Sequence, residues 1–178
     1  MQDTPTNPTG FELFSDRVTR LYPTYVLDKK LKLYPGPDTP TVKFSNLRSL
    51  LMSKDLTRNE ELNWTKKGLR FFDATEDLVG NRIAFLSFPR TGNTMTRKYV
   101  ESVTGIYTGS DMDLVHMHPL QLMGMPGEEH TCDDKTVWIT KMHWPSCSEL
   151  MQTDWTFDKG FVVTRNPIDA IYSYFLMQ

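Results

Sequence analysis

The chain is 178 residues long, 39% hydrophobic and 24% charged, with 20 Lys and Arg against 22 Asp and Glu for a formal net charge of −2. That length fits one domain, or a domain with an extension. The charge excludes a strongly basic nucleic-acid binder and an acidic disordered tail, while leaving room for a local basic pocket. No apolar run approaches the ~20 residues of a membrane span, and the N-terminal Met1-Gln2-Asp3-Thr4-Pro5 lacks the basic-then-apolar pattern of a secretory signal.

Residues 1–80 read as an extension without a regular pattern, punctuated by Pro5, Pro8, Pro23, Pro35, Pro37 and Pro40. Tyr22-Pro23 and Tyr34-Pro35-Gly36-Pro37 predict turns and extended chain. One short helix is expected, with Ser45 or Asn46 capping Leu47–Met52 and Leu47, Leu50 and Leu51 on one face. The segment reads as packing beside a core, or as a partner or acceptor surface. There is no internal repeat and no low-complexity tract.

From about Arg82 the pattern changes, and residues 81–178 read as one domain of alternating strands and helices. Ile83–Phe88 is an apolar run ended by Pro89 and Gly92, expected as a strand buried on both faces. Thr94–Val103 follows as a helix with Met95, Tyr99, Val100 and Val103 on one apolar face and Gly105 as its stop. Strands are expected again at Thr136–Lys141 and Phe161–Thr164. The second leads into a helix that Asn166 caps, with Pro167 at its first position and Asp169 in its first turn. Strands alternating with helices imply crossovers and a parallel sheet, hence an α/β fold with ligands at the carboxyl ends of the strands.

Three motifs sit at those ends. In Ser87-Phe88-Pro89-Arg90-Thr91-Gly92-Asn93-Thr94 a strand enters a tight loop and a helix begins at once. A helix start offers unpaired amides and a positive dipole end that suit phosphate or sulfate, and Arg90 adds a cation. It is not a Walker A loop, because the Gly-Lys-Ser/Thr ending is missing. The bland alternative is an ordinary turn capped by Thr91 or Asn93. In Lys141-Met142-His143-Trp144-Pro145, alternation puts Lys141 and His143 on one side of a strand end. Histidine can accept a proton near neutral pH and lysine can hold an anion, or His143 is simply half-buried and bonded to backbone. In Arg165-Asn166-Pro167-Ile168-Asp169-Ala170-Ile171-Tyr172-Ser173, the Asn166–Ser173 separation returns to nearly the same helical face. Arg165 and Ser173 could therefore grip one phosphate, or the stretch is a capped helix with a solvent-facing arginine.

Together, in this order and spacing, the three motifs resemble the sulfotransferase family, whose sulfuryl donor is 3′-phosphoadenosine-5′-phosphosulfate (PAPS). Phe88–Ser110, with Thr104-Gly105-Ile106-Tyr107-Thr108-Gly109-Ser110, is most similar to the WSC-domain-containing sulfotransferase branch. The resemblance covers about residues 80–178. It implies a P-loop NTPase-like three-layer fold around a central parallel sheet. It also implies a donor site at Arg90, Thr91, Gly92, Asn93 and Thr94 for the 5′-phosphosulfate, with Arg165 and Ser173 on the 3′-phosphate. His143 is then the base on a hydroxyl or amine acceptor, expected to be a carbohydrate or small molecule, and Lys141 steadies the transferred group. Arg90 stands where many members have lysine, and Met95 where a tryptophan often stacks on adenine. Sulfuryl transfer needs positioning and charge stabilisation, and no metal is expected because the donor anhydride carries the activation. Members of the branch are often Golgi-membrane enzymes, whereas this sequence shows no anchor.

Two other classes compete: a noncatalytic nucleotide-binding or interaction module of sulfotransferase ancestry, and a nucleotide kinase-like P-loop protein that would use Mg²⁺ and ATP. His116-Met117-His118 with His130 fits no usual zinc spacing. Cys132 and Cys147 flank a strand whose ends are ~20 Å apart, against the ~7 Å a disulfide spans, so free thiols are expected. Asn63-Trp64-Thr65 is a glycosylation sequon. Typical family members continue beyond residue 178 with a further strand and a glycine-containing segment, so the chain reads as truncated at its C-terminus. Its last helix, ending Tyr174-Phe175-Leu176-Met177, is expected to expose an apolar edge.

Overall fold

The computed structural model describes residues 10–27, 32–47, 68–111, 119–128, 130–143 and 156–176. At its centre is a parallel sheet of four strands, β5 (Ile83–Ser87), β6 (Gly109–Ser110), β7 (Ile139–His143) and β8 (Lys159–Val163), in the order β6-β7-β5-β8. The chain is therefore α/β with a central parallel sheet, as its alternation of strands and helices implies. In chain order these strands are arranged 2-3-1-4. The strand after β5, β6, lies beyond β7, and the strand after β7, β8, lies beyond β5 on the other side. Neighbouring β5 and β7 are thus followed in the chain by strands on opposite sides of the sheet, the arrangement of a topological switch point.

The strand ends differ from the sequence expectation in ways that neighbouring contacts explain. β5 stops at Ser87, and Phe88 is exposed. β7 begins at Ile139 rather than Thr136, because the Thr136 carbonyl is taken by the Phe72 amide outside the sheet. β8 begins at Lys159 rather than Phe161, since the amides of Asp158 and Lys159 already bond the Arg82 carbonyl.

Helix α2 spans Asn93–Thr104, after α1 (Gly10–Leu21), and α3 spans Pro167–Phe175. Gly105 ends α2 at φ 70°, donating to the Glu101 carbonyl, as a left-handed stop residue does. Asn166 caps α3, its Oδ1 accepting from the Ile168 amide at 3.0 Å, with Pro167 in the first turn. The orientation of α2 reverses the expected one. Met95, Tyr99 and Val103 are 75%, 71% and 61% exposed, while Asn93, Arg97, Glu101 and Thr104 face inward. The inward face is polar because it covers a layer of charged groups, described below.

Residues 1–80 hold more regular structure than their sequence pattern suggests. α1 was not expected, and Val18 is its buried contact. β1 (Tyr25–Leu27) pairs antiparallel with β2 (Leu33–Pro35), and β3 (Thr41–Val42) pairs parallel with β4 (Phe71–Phe72). The short helix starts earlier than predicted, with helical backbone over 44–47. Ser45 therefore lies in its first turn, where its amide and hydroxyl both donate to the Glu76 carboxylate at 3.0 and 2.6 Å. Leu47 is buried, and Leu50, Leu51 and Met52 lie outside the described residues.

Side chains from both sides of position 80 share the core. Val42, Phe44, Leu47 and Phe72 pack with Leu78, Ile106 and Trp138, while Phe71 packs with Tyr107 and Val137. His130 fastens the two parts: Nε2 donates to the Leu33 carbonyl and Nδ1 meets the Thr136 hydroxyl, each at 2.9 Å, with Tyr34 edge-on to its ring. Among the described residues no His, Cys, Asp and Glu group is placed to hold a metal, and no helix is long and apolar enough to cross a membrane. His116, His118, Cys147 and Asn63 lie outside the described residues. Cys132 is a buried free thiol. At the far edge, Val162 of β8 and Ile168, Ile171, Tyr172, Phe175 and Leu176 of α3 are exposed, which is the apolar edge the sequence predicts.

Candidate functional site

The loop between β5 and α2 turns sharply. Arg90 has φ 67° and Gly92 has φ 104°, and only the glycine adopts such a value without steric cost. Thr91 closes the turn from inside, its amide and hydroxyl both donating to the Phe88 carbonyl at 3.3 and 2.8 Å. Gly92 occupies the N-cap position, so the first-turn amides of α2 receive no side-chain bond from the N-cap residue. The capped turn that was the bland alternative does not form. Asn93 instead turns toward the sheet, where its Oδ1 accepts from the Ser87 hydroxyl at 2.6 Å. Thr94 follows it, exposed on the first turn.

Asn93 also reaches β7. Its Nδ2 lies 3.3 Å from His143 Nδ1, and the same Nδ1 lies 3.2 Å from the Ser87 carbonyl. A carbonyl only accepts and an amide nitrogen only donates, so the two contacts ask for different tautomers. With the proton on Nδ1 donated to Ser87, the basic lone pair lies on Nε2. His143 is half-buried at the strand end, so backbone bonding and proton acceptance are compatible roles for it.

Arg90, Arg165 and Ser173, assigned from the sequence to two different phosphates, meet directly. Arg90 Nε donates to Ser173 Oγ at 3.0 Å across 83 residues, and an Arg165 terminal nitrogen donates to the Arg90 carbonyl at 3.1 Å across 75. β8 lies beside β5 in the sheet, and this adjacency brings their carboxyl-end residues together. Among the described residues Arg165 pairs with no carboxylate, so its remaining donors are available to an anion. Ser173 accepts from Arg90 and keeps its own proton to donate.

Lys141 lies two residues before His143 on the same face, one layer deeper and 5% exposed. It faces a buried charged group that the sequence does not announce. Arg97, itself 2% exposed, donates to the fully buried Glu128, to the Thr108 hydroxyl at 2.8 Å and to the Thr108 carbonyl at 2.9 Å. Glu101 accepts from the Thr108 amide and hydroxyl at 3.0 and 2.8 Å. Asp111 follows β6, bonding the Lys141 carbonyl through its amide, while both its carboxylate oxygens are buried with no hydrogen-bond partner among the described residues. Burial lowers Lys141 to a pKa of about 8, with Glu128 opposing the shift and Arg97 adding to it. Burial raises the Asp111 carboxyl to about 6, with Lys141 holding it back and Glu128 pushing it up.

These two shifts predict a sag in stability at neutral pH. Asp111 rises from 3.8 to about 6 on folding, so the folded chain holds an extra proton between those values. Stability therefore falls as pH climbs through that window, by about 3 kcal/mol if Asp111 acts alone. Lys141 falls from 10.5 to about 8, so the unfolded chain holds the extra proton and stability recovers between pH 8 and 10.5. Urea unfolding at pH 4.5, 7 and 10 checks both limbs. Asp111→Asn is expected to flatten the acid limb alone, and an unchanged limb in that variant would remove Asp111 as its source.

No family model matches the chain, and no solved structure matches it.

Arg97, Glu101, Glu128 and Asp111 are absent from the sequence-derived site. The Arg97–Glu101 spacing of four reads as a solvated helix pair, and β6 is two residues long, too short to signal that Asp111 ends a strand.

Proposed function

We propose that the chain is a sulfotransferase domain with a P-loop-like architecture, moving a sulfuryl group from PAPS to a hydroxyl or amine on a carbohydrate or small molecule. The observation that carries this reading is the junction of Arg90, Ser173 and Arg165 beside the start of α2, which has no side-chain cap, at the carboxyl ends of β5 and β8. Two arginines, a hydroxyl and a row of unpaired amides form a donor set for phosphate and sulfate oxygens. His143, at the carboxyl end of the neighbouring strand β7, is held by its Nδ1 donating to the Ser87 carbonyl, with Asn93 beside it.

In this reading the first-turn amides at Asn93 and Thr94, with Arg90, receive the 5′-phosphosulfate, while Arg165 and Ser173 receive the 3′-phosphate. The acceptor oxygen or nitrogen attacks sulfur and the bridging S–O bond to phosphorus breaks. The acceptor proton passes to His143 Nε2, and 3′-phosphoadenosine-5′-phosphate leaves with the electron pair. Arg90 and Lys141 offset the charge on the transferred group and the leaving oxygen.

Calorimetric titration of 3′-phosphoadenosine-5′-phosphate into the full chain, without Mg²⁺, tests the donor site. Arg165→Ala is expected to weaken binding roughly 10- to 100-fold, the scale of lost charge-assisted hydrogen bonds. Failure of the folded wild-type chain to bind would overturn the reading. Binding without sulfuryl transfer to any compound in an acceptor panel would leave a noncatalytic nucleotide module, and Mg²⁺-dependent ATP binding would favour kinase-like chemistry.

A further inference from the structure

We infer that Asp111 is the internal counter-ion of Lys141, and that an anion arriving at Lys141 replaces it there and drives a proton onto its carboxylate. Anion capture and proton uptake are then one linked event. The anion itself rests on the nucleotide reading above, whereas the pairing of Asp111 with Lys141 rests on the charged layer under α2. Asp111 is a positioning residue in this account, because it acts on the ligand through Lys141.

The layer sorts into pairs. Among the described residues its buried charged side chains are Arg97, Glu101, Asp111, Glu128 and Lys141. Arg97 pairs with Glu128, and Glu101 pairs with Lys98 Nζ at 3.2 Å. One cation and one anion remain, Lys141 and Asp111, and they are neighbours across the sheet. Ser110 of β6 stands opposite Lys141 of β7, and Asp111, the next residue, donates its amide to the Lys141 carbonyl at 3.1 Å. Lys141 holds the Asp111 carboxyl down against the effect of burial, and Asp111 in turn holds Lys141 up. The charges facing Asp111 are Lys141 from β7 and Glu128 from the loop that precedes it. Arg97, Lys98 and Glu101 of α2 complete the layer, and His143 follows Lys141 at the end of β7.

An anion against Lys141 leaves one buried cation facing two negative groups, and like charges that close do not both stay ionised. The group that yields is Asp111. Glu128 is held by Arg97, and a sulfate or phosphosulfate is too acidic to take the proton. Both Asp111 oxygens lack a hydrogen-bond partner among the described residues, so protonation breaks no bond within them. The carboxyl stands at about 6 before the anion arrives. A bound anion raises it further, so the complex holds more protons and affinity falls as pH climbs from that value. Lys141 keeps its own charge up to about pH 8, which leaves a window in which Asp111 alone of this pair titrates.

Two measurements on the full chain test the proposal. The Asp111 carboxyl carbon is followed by ¹³C NMR through a pH titration at constant ionic strength, with and without adenosine 5′-phosphosulfate. That ligand has no group of its own that titrates near neutral pH. It is expected to raise the Asp111 midpoint by about one pH unit or more. Lys141→Met is expected to raise the midpoint without any ligand. Calorimetry then follows the affinity for the same ligand between pH 6 and 7.5. The fall with rising pH is expected to approach about tenfold per pH unit, the limit for one proton taken up. Asp111→Asn is expected to bind with a flatter profile, whereas His143→Asn keeps the Asp111 share of the slope. A midpoint that Lys141→Met leaves in place removes the pairing, and equal slopes in the wild type and Asp111→Asn remove the coupling. If the wild type binds no adenine nucleotide, the nucleotide reading fails, and sulfate takes the place of the ligand in the titration. An Asp111 midpoint that the anion does not move overturns the proposal in either case.

Discussion

Arg97→Ala is expected to destabilise the chain by about 3–5 kcal/mol, the scale for removing one partner of a buried ion pair. Arg97 donates to Glu128 and twice to Thr108, and all three residues are sealed from solvent. Alanine would leave the Glu128 carboxylate buried and unpaired, when its Oε2 already has no partner among the described residues. Such a loss is a large part of the ~5–15 kcal/mol that holds a typical domain together. The pair itself is a different quantity from its disruption, because desolvation of both ions offsets much of their attraction. The double variant Arg97→Met with Glu128→Leu is therefore expected to recover most of the lost stability. Urea unfolding of the two single variants and the double variant measures the difference. A loss below about 1 kcal/mol for Arg97→Ala would mean that Glu128 finds another partner, and the polar layer under α2 would need a different account.

His143→Asn is expected to lower sulfuryl transfer by about 10²–10⁴-fold, the usual contribution of a positioned base. Asparagine retains a side-chain donor for the Ser87 carbonyl and removes the basic Nε2, which separates the chemical role from the structural one. Affinity for 3′-phosphoadenosine-5′-phosphate is expected to stay within about twofold, since the proposed donor contacts come from Arg90 of the β5–α2 loop, Arg165 after β8 and Ser173 of α3. The measurement is turnover of labelled PAPS with a panel of hydroxyl and amine acceptors, alongside calorimetry on the same variant. Full turnover by His143→Asn would remove His143 as the base, and Asp111 would be the next carboxylate to test. A joint fall in turnover and donor affinity would point instead to collapse of the Asn93–His143 contact.

Several features were legible in the residues themselves. Gly105 stops α2 and Asn166-Pro167 starts α3, because each signal acts through backbone geometry within a few positions. The apolar run beginning at Ile83 gave the central strand, and its alternation with helices gave a parallel sheet. Arg90, Arg165, Ser173 and His143 were all named from their motifs; Arg90, Arg165 and His143 lie at the carboxyl ends of strands or just beyond them, and Ser173 lies within α3.

The facing of α2 and the meeting of Arg90 with Ser173 were decided only by the tertiary structure. Met95, Tyr99 and Val103 form an apolar stripe, and pattern reading assigns such a stripe to the core. That rule assumes an apolar partner, whereas α2 lies over Glu128, which comes from a loop 31 residues further along the chain from Arg97. Burial of an ion pair is favourable only when both ions arrive together, so neither local sequence carries the signal alone. Likewise, no spacing in the sequence states that β8 lies beside β5. Sheet order is settled by long-range pairing, and it brings α3 against the loop that carries Arg90. Local chemistry thus determined which side chains are suited to an anion, while non-local packing determined that Arg90, Arg165 and Ser173 meet at one place.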